Sequence, residues 1–528
     1  MFRTTVQEHP TRQHPPARRG FSPAGYDVAI LGAGLAGMAT ALRLQAAGLS
    51  TVLIEAHGHA GGCAGYYRRR GFSFDVGATT LVDFEPGGVG AELLDTVGAP
   101  PCDGEALPGY VAWLPDRVIT LYREQTAWHA ERLRTLGATP GHLAFWTLLD
   151  RLADVFWAAS RAGVRMPVRG PSDVIHNLRA LPVRGLPLTR HAWRTLGEAL
   201  RGFGLHEDSA LVGLLGMLVE DTVHSTVERA PLVNAALGVT IRGAGLSRHT
   251  GGMRGFWRNL VRHYRGLGGE LHVGCRVDRV DGQAGSFRVR TARGAVHASQ
   301  IVSSLTAETT ARVATTARVS ERLRRYVDRD ETELGGAMVV FLGVPDNEVG
   351  GQRFTHHQLL SAYDRPLGEG NNMFISVSAP DDVDSAPAGH RAVMISTHTE
   401  LASWEGLDPA GYSARKQAAQ DRLLSLARRV YPTLGNAATV RELGTPRTYE
   451  AFTSRPRGAV GGVRQALHNA NQHAVPHDLG VKGFWLVGDS TWPGLGTVAC
   501  VLGSRIVAED VRRHARAYAR VRSAGGVR

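Results

Sequence analysis

The chain has 528 residues, 43% of them hydrophobic and 20% charged, with a formal net charge of +12. That length holds core for two or more domains, and that balance excludes a disordered, collagenous or small disulfide-stapled protein. Cys63, Cys102, Cys275 and Cys500 stand far apart with no C-x-x-C pair, which argues against structural zinc or a disulfide framework and suits a reducing cytoplasm.

Residues 1–25, bearing Pro, His and Arg, read as a flexible arm rather than a signal peptide. Asp27 to Leu31 then reads as a short buried strand and Met38 to Ala47 as a helix. Between them Gly32, Gly34 and Gly37 fit G-x-G-x-x-G. The first glycine permits a tight turn, the second lets backbone approach a pyrophosphate, and the third lets helix pack close to strand. The helix end offers N–H groups and a positive dipole to the phosphates. A second strand, Thr51 to Ile54, ends in Glu55, 18 residues past Gly37, where an acid binds a ribose hydroxyl. The residues alone point to FAD or NAD, and an acid at this place disfavours a 2′-phosphate.

Residues 26–98 form the first piece of this nucleotide domain. Residues 103–228 read as helix-rich. Within them "HLAFWTLLDRLADVFWAA" puts Phe145, Leu149, Leu152 and Phe156 on one face, either an ordinary core helix or a tunnel wall or interfacial helix. Residues 229–305 return to nucleotide-type architecture. Residues 306–442 carry alternating runs such as Ala337 to Leu342 and Ala392 to Ser396, which predict a sheet. Residues 443–515 close with a strand over Phe484 to Val487, a glycine turn and a helix. Two domains woven from discontinuous pieces fit this order: nucleotide-binding over 26–98, 229–305 and 443–515, substrate- and membrane-facing over 103–228 and 306–442.

Three stretches carry a resemblance: "LIEAHGHAGGCAGYYRRRGFSFDVGATTL", "GGMRGFWRNLVRHYRGLGGEL" and "LVGDSTWPGLGTV". They resemble the signatures of the FAD-dependent carotenoid desaturase and isomerase family, over nearly the whole chain after Gly25. The resemblance implies an α/β fold, a Rossmann-type FAD-binding domain of the glutathione reductase kind with an interleaved sheet-and-helix substrate domain. It implies that Gly32, Gly34 and Gly37 meet the pyrophosphate, Glu55 the ribose and Val277 the adenine through its backbone. Gly61 and Gly62 would let the chain pass the flavin. Gly488 and Asp489 would hold the phosphate–ribityl portion, and the N–H groups of Thr497 and Val498 the flavin pyrimidine. Cys63 stands where many relatives carry arginine, and reads as a small residue in a tight turn. Trp492-Pro493-Gly494 replaces the H-P-G turn of bacterial phytoene desaturases, which favours a late step over phytoene desaturation; Trp492 is the candidate wall of the substrate cavity. No catalytic base stands out, and no metal site.

The implied activity is desaturation of a carotenoid, with 3′,4′-desaturation of a 1′-hydroxylated monocyclic substrate favoured. A carotenoid cis–trans isomerase or retinol saturase-like reductase shares nearly every motif. Phytoene desaturase, flavin amine oxidase and a flavin-free prenyl-lipid carrier are further alternatives. Oxygen or a quinone would reoxidise the flavin. The basic excess is nearly all arginine, Lys416 and Lys482 being the lysines, and favours an anionic partner. No nucleic-acid module is recognisable. A carotenoid must come from a bilayer, so the expectation is a cytoplasmic protein attached peripherally to the membrane, with no spanning helix.

Overall fold

The computed structural model describes residues 20–525; all but the last six residues of the expected N-terminal arm lie outside it. Strand β1 (Tyr26–Leu31) is buried at every position but Asp27, as a central parallel strand must be. Helix α1 (Leu35–Ala46) is buried without a break from Leu35 to Leu44, and its small residues let it lie close against its neighbours. Strand β2 (Thr51–Ile54) pairs in parallel with β1, with Val28 opposite Thr51 and Leu31 opposite Ile54.

These strands sit in a seven-stranded sheet. Glu270–His272 extends it beyond β2, and Gly294–Ser303 lies in parallel on the other side of β1. Phe484–Leu486 then pairs in parallel with Gly294–Ser303, so the end of the chain returns to the sheet where it began. The strands Val277–Asp281 and Phe287–Thr291 add an antiparallel flank.

A second seven-stranded sheet runs in the order Val440–Gly444, Gly336–Pro345, His390–Thr399, Asn372–Val377, His356–Leu360, Gly109–Trp113 and Val118–Tyr122. Its pairings are antiparallel except between Gly109–Trp113 and His356–Leu360. Helices between Gln125 and Val239 pack beside it around one apolar core.

The expected domain boundaries shift in three places. The helices Ala307–Val313 and Ala317–Asp330 belong with the first sheet, because Val313, Val319 and Leu323 are buried in its core with Ala29, Leu31 and Ile301. Strand Val440–Gly444, by contrast, completes the edge of the second sheet, past the expected limit at 442. The stretch 103–228 opens with strands rather than helix, and two of them complete the second sheet's other edge.

The helix Pro140–Arg161 resolves as a core helix. Phe145, Trp146, Leu149 and Leu152 are all buried in the bundle, and the Trp157 indole donates to Thr240 Oγ1 at 3.2 Å. Apolar surface is exposed elsewhere, on Pro171–Ala180 and the 3-10 turns of Val183–Trp193, where Leu178, Val183 and Trp193 are 59%, 83% and 73% exposed. None of the helices among the described residues is long and apolar enough to cross a membrane, and the four cysteines are free.

Candidate functional site

A single cavity of about 1330 Å³ runs from the glycine loop after β1 to the inner face of the second sheet. It exceeds the roughly 300–1,000 Å³ that a drug-sized ligand fills, so it has room for a dinucleotide and a second molecule.

The first end is built by backbone. Gly32 has φ +93°, a conformation that only glycine adopts without strain. Gly37 lies against it so closely that a Cβ there would stand 2.1 Å from the Gly32 carbonyl oxygen, which is the packing role expected of the third glycine. Gly34 differs from both. It is the N-cap of α1, carries no side-chain cap, lines the cavity, and a Cβ added to it would meet nothing within 4 Å. The helix N-terminus therefore opens on empty volume with its N–H groups uncapped, the arrangement that receives a phosphate.

The turn at Gly61 and Gly62 is held beside this loop. Gly61 N–H donates to the Ala33 carbonyl at 2.9 Å, and a Cβ on Gly62 would come within 3.3 Å of Gly34 Cα. Glu55 leaves β2 into the same corner, where its Oε2 accepts from Ala33 N–H at 2.7 Å and its Oε1 from His57 N–H at 2.8 Å. Burial raises its carboxyl above the ordinary value, and those two backbone bonds oppose the shift. Val277 also lines the cavity, because Cys275 N–H bonds the Glu55 carbonyl at 2.8 Å and draws that segment alongside.

The C-terminal motif arrives opposite. Gly488, Asp489, Gly496 and Thr497 line the cavity, Thr497 opening the helix Thr497–Gly525, and a Cβ at Gly496 would again meet nothing within 4 Å. Asp489 is paired with half-buried Arg455. Burial works against the Arg455 charge, but Asp489 outweighs it and holds the guanidinium above its ordinary value. Cys63 and Cys500 line the cavity near this pair, and burial raises both thiols, Cys500 to about 12, so both stay protonated at neutral pH. Two uncapped or glycine-opened helix starts, a half-buried acid and empty space at both glycines fit a dinucleotide with its phosphates at α1.

Three expected residues are not on the cavity wall, the first being Gly37, which packs against Gly32 instead of reaching the open volume. Trp492, the candidate wall, is buried in the apolar core with Val487 and Leu502; the turn points its ring into the protein, and Leu495 and Gly496 take the exposed place. The Val498 side chain packs between two apolar cores.

The second end was not visible in the sequence. Across the second sheet Gly444, Val339, Ser396, Phe374 and Gln358 are paired in register, and all five line the cavity. The row ends at polar Gln358. Beside its polar end the helix Ser209–Val223 brings Glu220 and Asp221. His398 Nδ1 lies 3.3 Å from Glu220 Oε2, and the Asn372 amide donates to the same oxygen. Burial lowers His398, but the neighbouring carboxylates outweigh burial and hold it above its ordinary value; Glu220, resisted by burial, is held low by His398. Burial pushes the Asp221 carboxyl up to about 6. The available signal was an acidic pair ending an otherwise apolar helix, "LVGLLGMLVEDTV".

Asp75, in the "GFSFD" signature, does not line the cavity. It pairs with Arg248 at 2.6 Å, both buried, and accepts from Met253 N–H at 2.8 Å, fixing the start of the helix Gly252–Gly266.

The NAD(P)-binding Rossmann-like domain family matches residues 30–97. The chain is 23% identical over 502 residues to the chloroplastic prolycopene isomerase of Daucus carota, covering 92% of this chain and 80% of that protein. It is 24% identical over 503 residues to the 4,4′-diapolycopene oxygenase of Methylomonas sp., covering 92% and 97%. Among solved structures, an oxidoreductase from Methanosarcina mazei superimposes with a TM-score of 0.61 at 15% identity, over 91% of this chain and 99% of that one. That last likeness concerns the fold.

Proposed function

From its place in the carotenoid desaturase and isomerase family of oxidoreductases, we propose that this chain is an FAD-dependent carotenoid desaturase. The observation that carries the reading is the single cavity joining a dinucleotide cradle to a sheet-roofed chamber, so that cofactor and substrate share one continuous space.

In this reading α1 receives the pyrophosphate, with Gly34 giving the close approach and Glu55 receiving the adenosine ribose. Asp489, oriented by Arg455, holds the ribityl side, and the start of the helix at Thr497 faces the flavin pyrimidine. Bound there, FAD supplies a two-electron acceptor for removing two hydrogens from a C–C bond beside a polyene. The chain supplies orientation and dryness: Val339, Phe341, Phe374, Leu218 and Leu246 present apolar surface to a polyene. Oxygen or a membrane quinone takes the electrons in turn.

Within that class we favour 3′,4′-desaturation of a 1′-hydroxylated monocyclic carotenoid. The Trp492-Pro493-Gly494 turn and the polar end of the chamber support it, since a hydrocarbon substrate would bring no donor to the unpaired Gln358 Oε1 on that wall. The similarity to prolycopene isomerases favours a second reading, cis–trans isomerisation at the same site.

Substrate delivery calls for a membrane surface, and the stretch 174–194 supplies one. It exposes Val174, Ile175, Leu178, Val183, Leu186 and Trp193 beside Arg179, Arg184 and Arg190, without one acidic residue. Apolar side chains flanked by arginines suit reversible attachment to anionic lipid at the cytoplasmic face.

Expression in a host that accumulates hydroxylated monocyclic carotenoid, followed by pigment mass analysis, tests the reading. Loss of two hydrogens is expected; unchanged mass with a new isomer establishes the second reading, and a gain of two hydrogens refutes both.

A further inference from the structure

Asp221 and Gln358 face the cavity from different elements, the end of the helix Ser209–Val223 and the strand His356–Leu360. The Gln358 amide donates to Asp221 Oδ2. Gln358 is 4% exposed, yet its Oε1 has no hydrogen-bond partner. A buried acceptor left unpaired costs free energy, and this one stands on the cavity wall next to the half-buried Asp221 carboxylate, on a wall that also presents Leu218, Ile241 and Phe374. The missing component is a donor.

Charge decides what kind of donor. Glu220 is matched by His398, with which it is paired. Asp221 lies within electrostatic reach of Arg242, buried and also on the cavity wall, whose guanidinium donates to the Val239 carbonyl at 2.7 Å. The local charges therefore balance without a ligand. An ammonium group would add an uncompensated positive charge, while a ketone or a hydrocarbon end brings no hydrogen to donate. Glu220, Asp221 and His398 place their ligating atoms within 4.8 Å of one another, but Glu220 and His398 already engage each other, which leaves a cation a poor set of free ligands. A neutral hydroxyl satisfies the site as it stands.

We propose that Asp221 and Gln358 form a hydroxyl-accepting subsite at the far end of the cavity, which selects a polyene bearing a terminal alcohol. The inference rests on the flavin-dependent carotenoid reading and gives its substrate preference a structural source. The alcohol O–H donates to the Asp221 carboxylate or to Gln358 Oε1, and the polyene runs from that anchor past Phe374 toward Thr497. No bond is made or broken at the subsite; it sets which end of the molecule enters first and how deep it goes.

Equilibrium binding of a matched pair tests this: one carotenoid with a terminal tertiary hydroxyl and its deoxy counterpart, presented in detergent to the flavin-loaded full chain and followed by the shift of the polyene absorption. The wild type is expected to favour the alcohol by about 10- to 150-fold, the span of one hydrogen bond to a charged group. Asp221→Leu and Gln358→Leu should each collapse that preference toward unity without weakening the deoxy ligand. Equal wild-type affinity for the pair overturns the subsite and leaves the carotenoid reading standing, a comparison that needs no variant to fold. Binding of neither ligand by flavin-loaded protein overturns both. A preference that survives in both folded variants assigns the alcohol to other residues and also overturns the subsite.

Discussion

Gly34 and Gly37 lie three residues apart in one motif, yet alanine should act on them in opposite ways. At Gly34 the new methyl meets nothing within 4 Å and the backbone is extended, with φ −68° and ψ 173°. The apo protein gains about 0.4–1 kcal/mol from a less flexible unfolded chain, and alanine's poorer N-cap behaviour offsets this by a similar amount, roughly 0.5–1 kcal/mol. Apo stability should be nearly unchanged. The methyl stands in the space a phosphate must enter, however, and overpacking of about 1–3 kcal/mol translates to a loss of FAD affinity of about 5- to 150-fold. At Gly37 the methyl would lie 2.1 Å from the Gly32 carbonyl oxygen and 3.1 Å from Ser304 Cβ. The helix must then move off the strand, so Gly37→Ala should destabilise the apo protein itself by at least about 1–3 kcal/mol. Urea unfolding of the stripped proteins and fluorescence titration with FAD separate the two quantities. A folded Gly34→Ala that binds FAD as the wild type does would refute the cradle, and a Gly37→Ala apo protein as stable as wild type would refute the packing account.

Arg248→Met leaves Asp75 buried without its cation and should cost about 3–5 kcal/mol; because the loss is relieved when Asp75 takes a proton, urea midpoints should fall further at pH 8 than at pH 5. Burial pushes Asp221 up to about 6, so the folded chain holds this proton more tightly than the unfolded one, and its contribution to stability is full below the ordinary carboxylate range and lost as pH rises through about 6. Asp221→Asn should therefore gain on the wild type in thermal midpoint between pH 4 and pH 7, and a difference that is flat with pH contradicts the burial argument. Ile175→Ser with Leu178→Ser should leave the fold intact, since both side chains are exposed, and should reduce pelleting with anionic vesicles several-fold; unchanged pelleting would move the membrane contact elsewhere.

What was legible in the sequence was what neighbours along the chain determine. The strand, the three glycines and Glu55 sit within 30 residues, and each does a job that backbone geometry alone dictates. Asp489 was legible, but its partner Arg455 was not, because a long arginine in "TSRPRG" carries no periodicity and finds its acid only in the folded turn. The chamber's polar end joins Asp221 to Gln358 and His398, each more than a hundred residues further along the chain, and they meet only because a helix end packs against interior strands of the second sheet. Amphipathic spacing found the helix Pro140–Arg161 but did not tell core from interface, and the exposed apolar residues lie instead where 3-10 turns break the pattern. Trp492 was misplaced for a related reason: in a turn, one residue's register decides whether a ring faces cavity or core, and the core took it.

Mixing the flavin-loaded protein with one equivalent of a 1′-hydroxylated monocyclic carotenoid in liposomes, without oxygen, tests the central claim most directly. If the chain is a desaturase, flavin absorbance at its long-wavelength band bleaches in step with a red shift of the polyene and a loss of two hydrogens, one flavin per double bond formed. A polyene that changes its spectrum with its mass intact and the flavin still oxidised would contradict it.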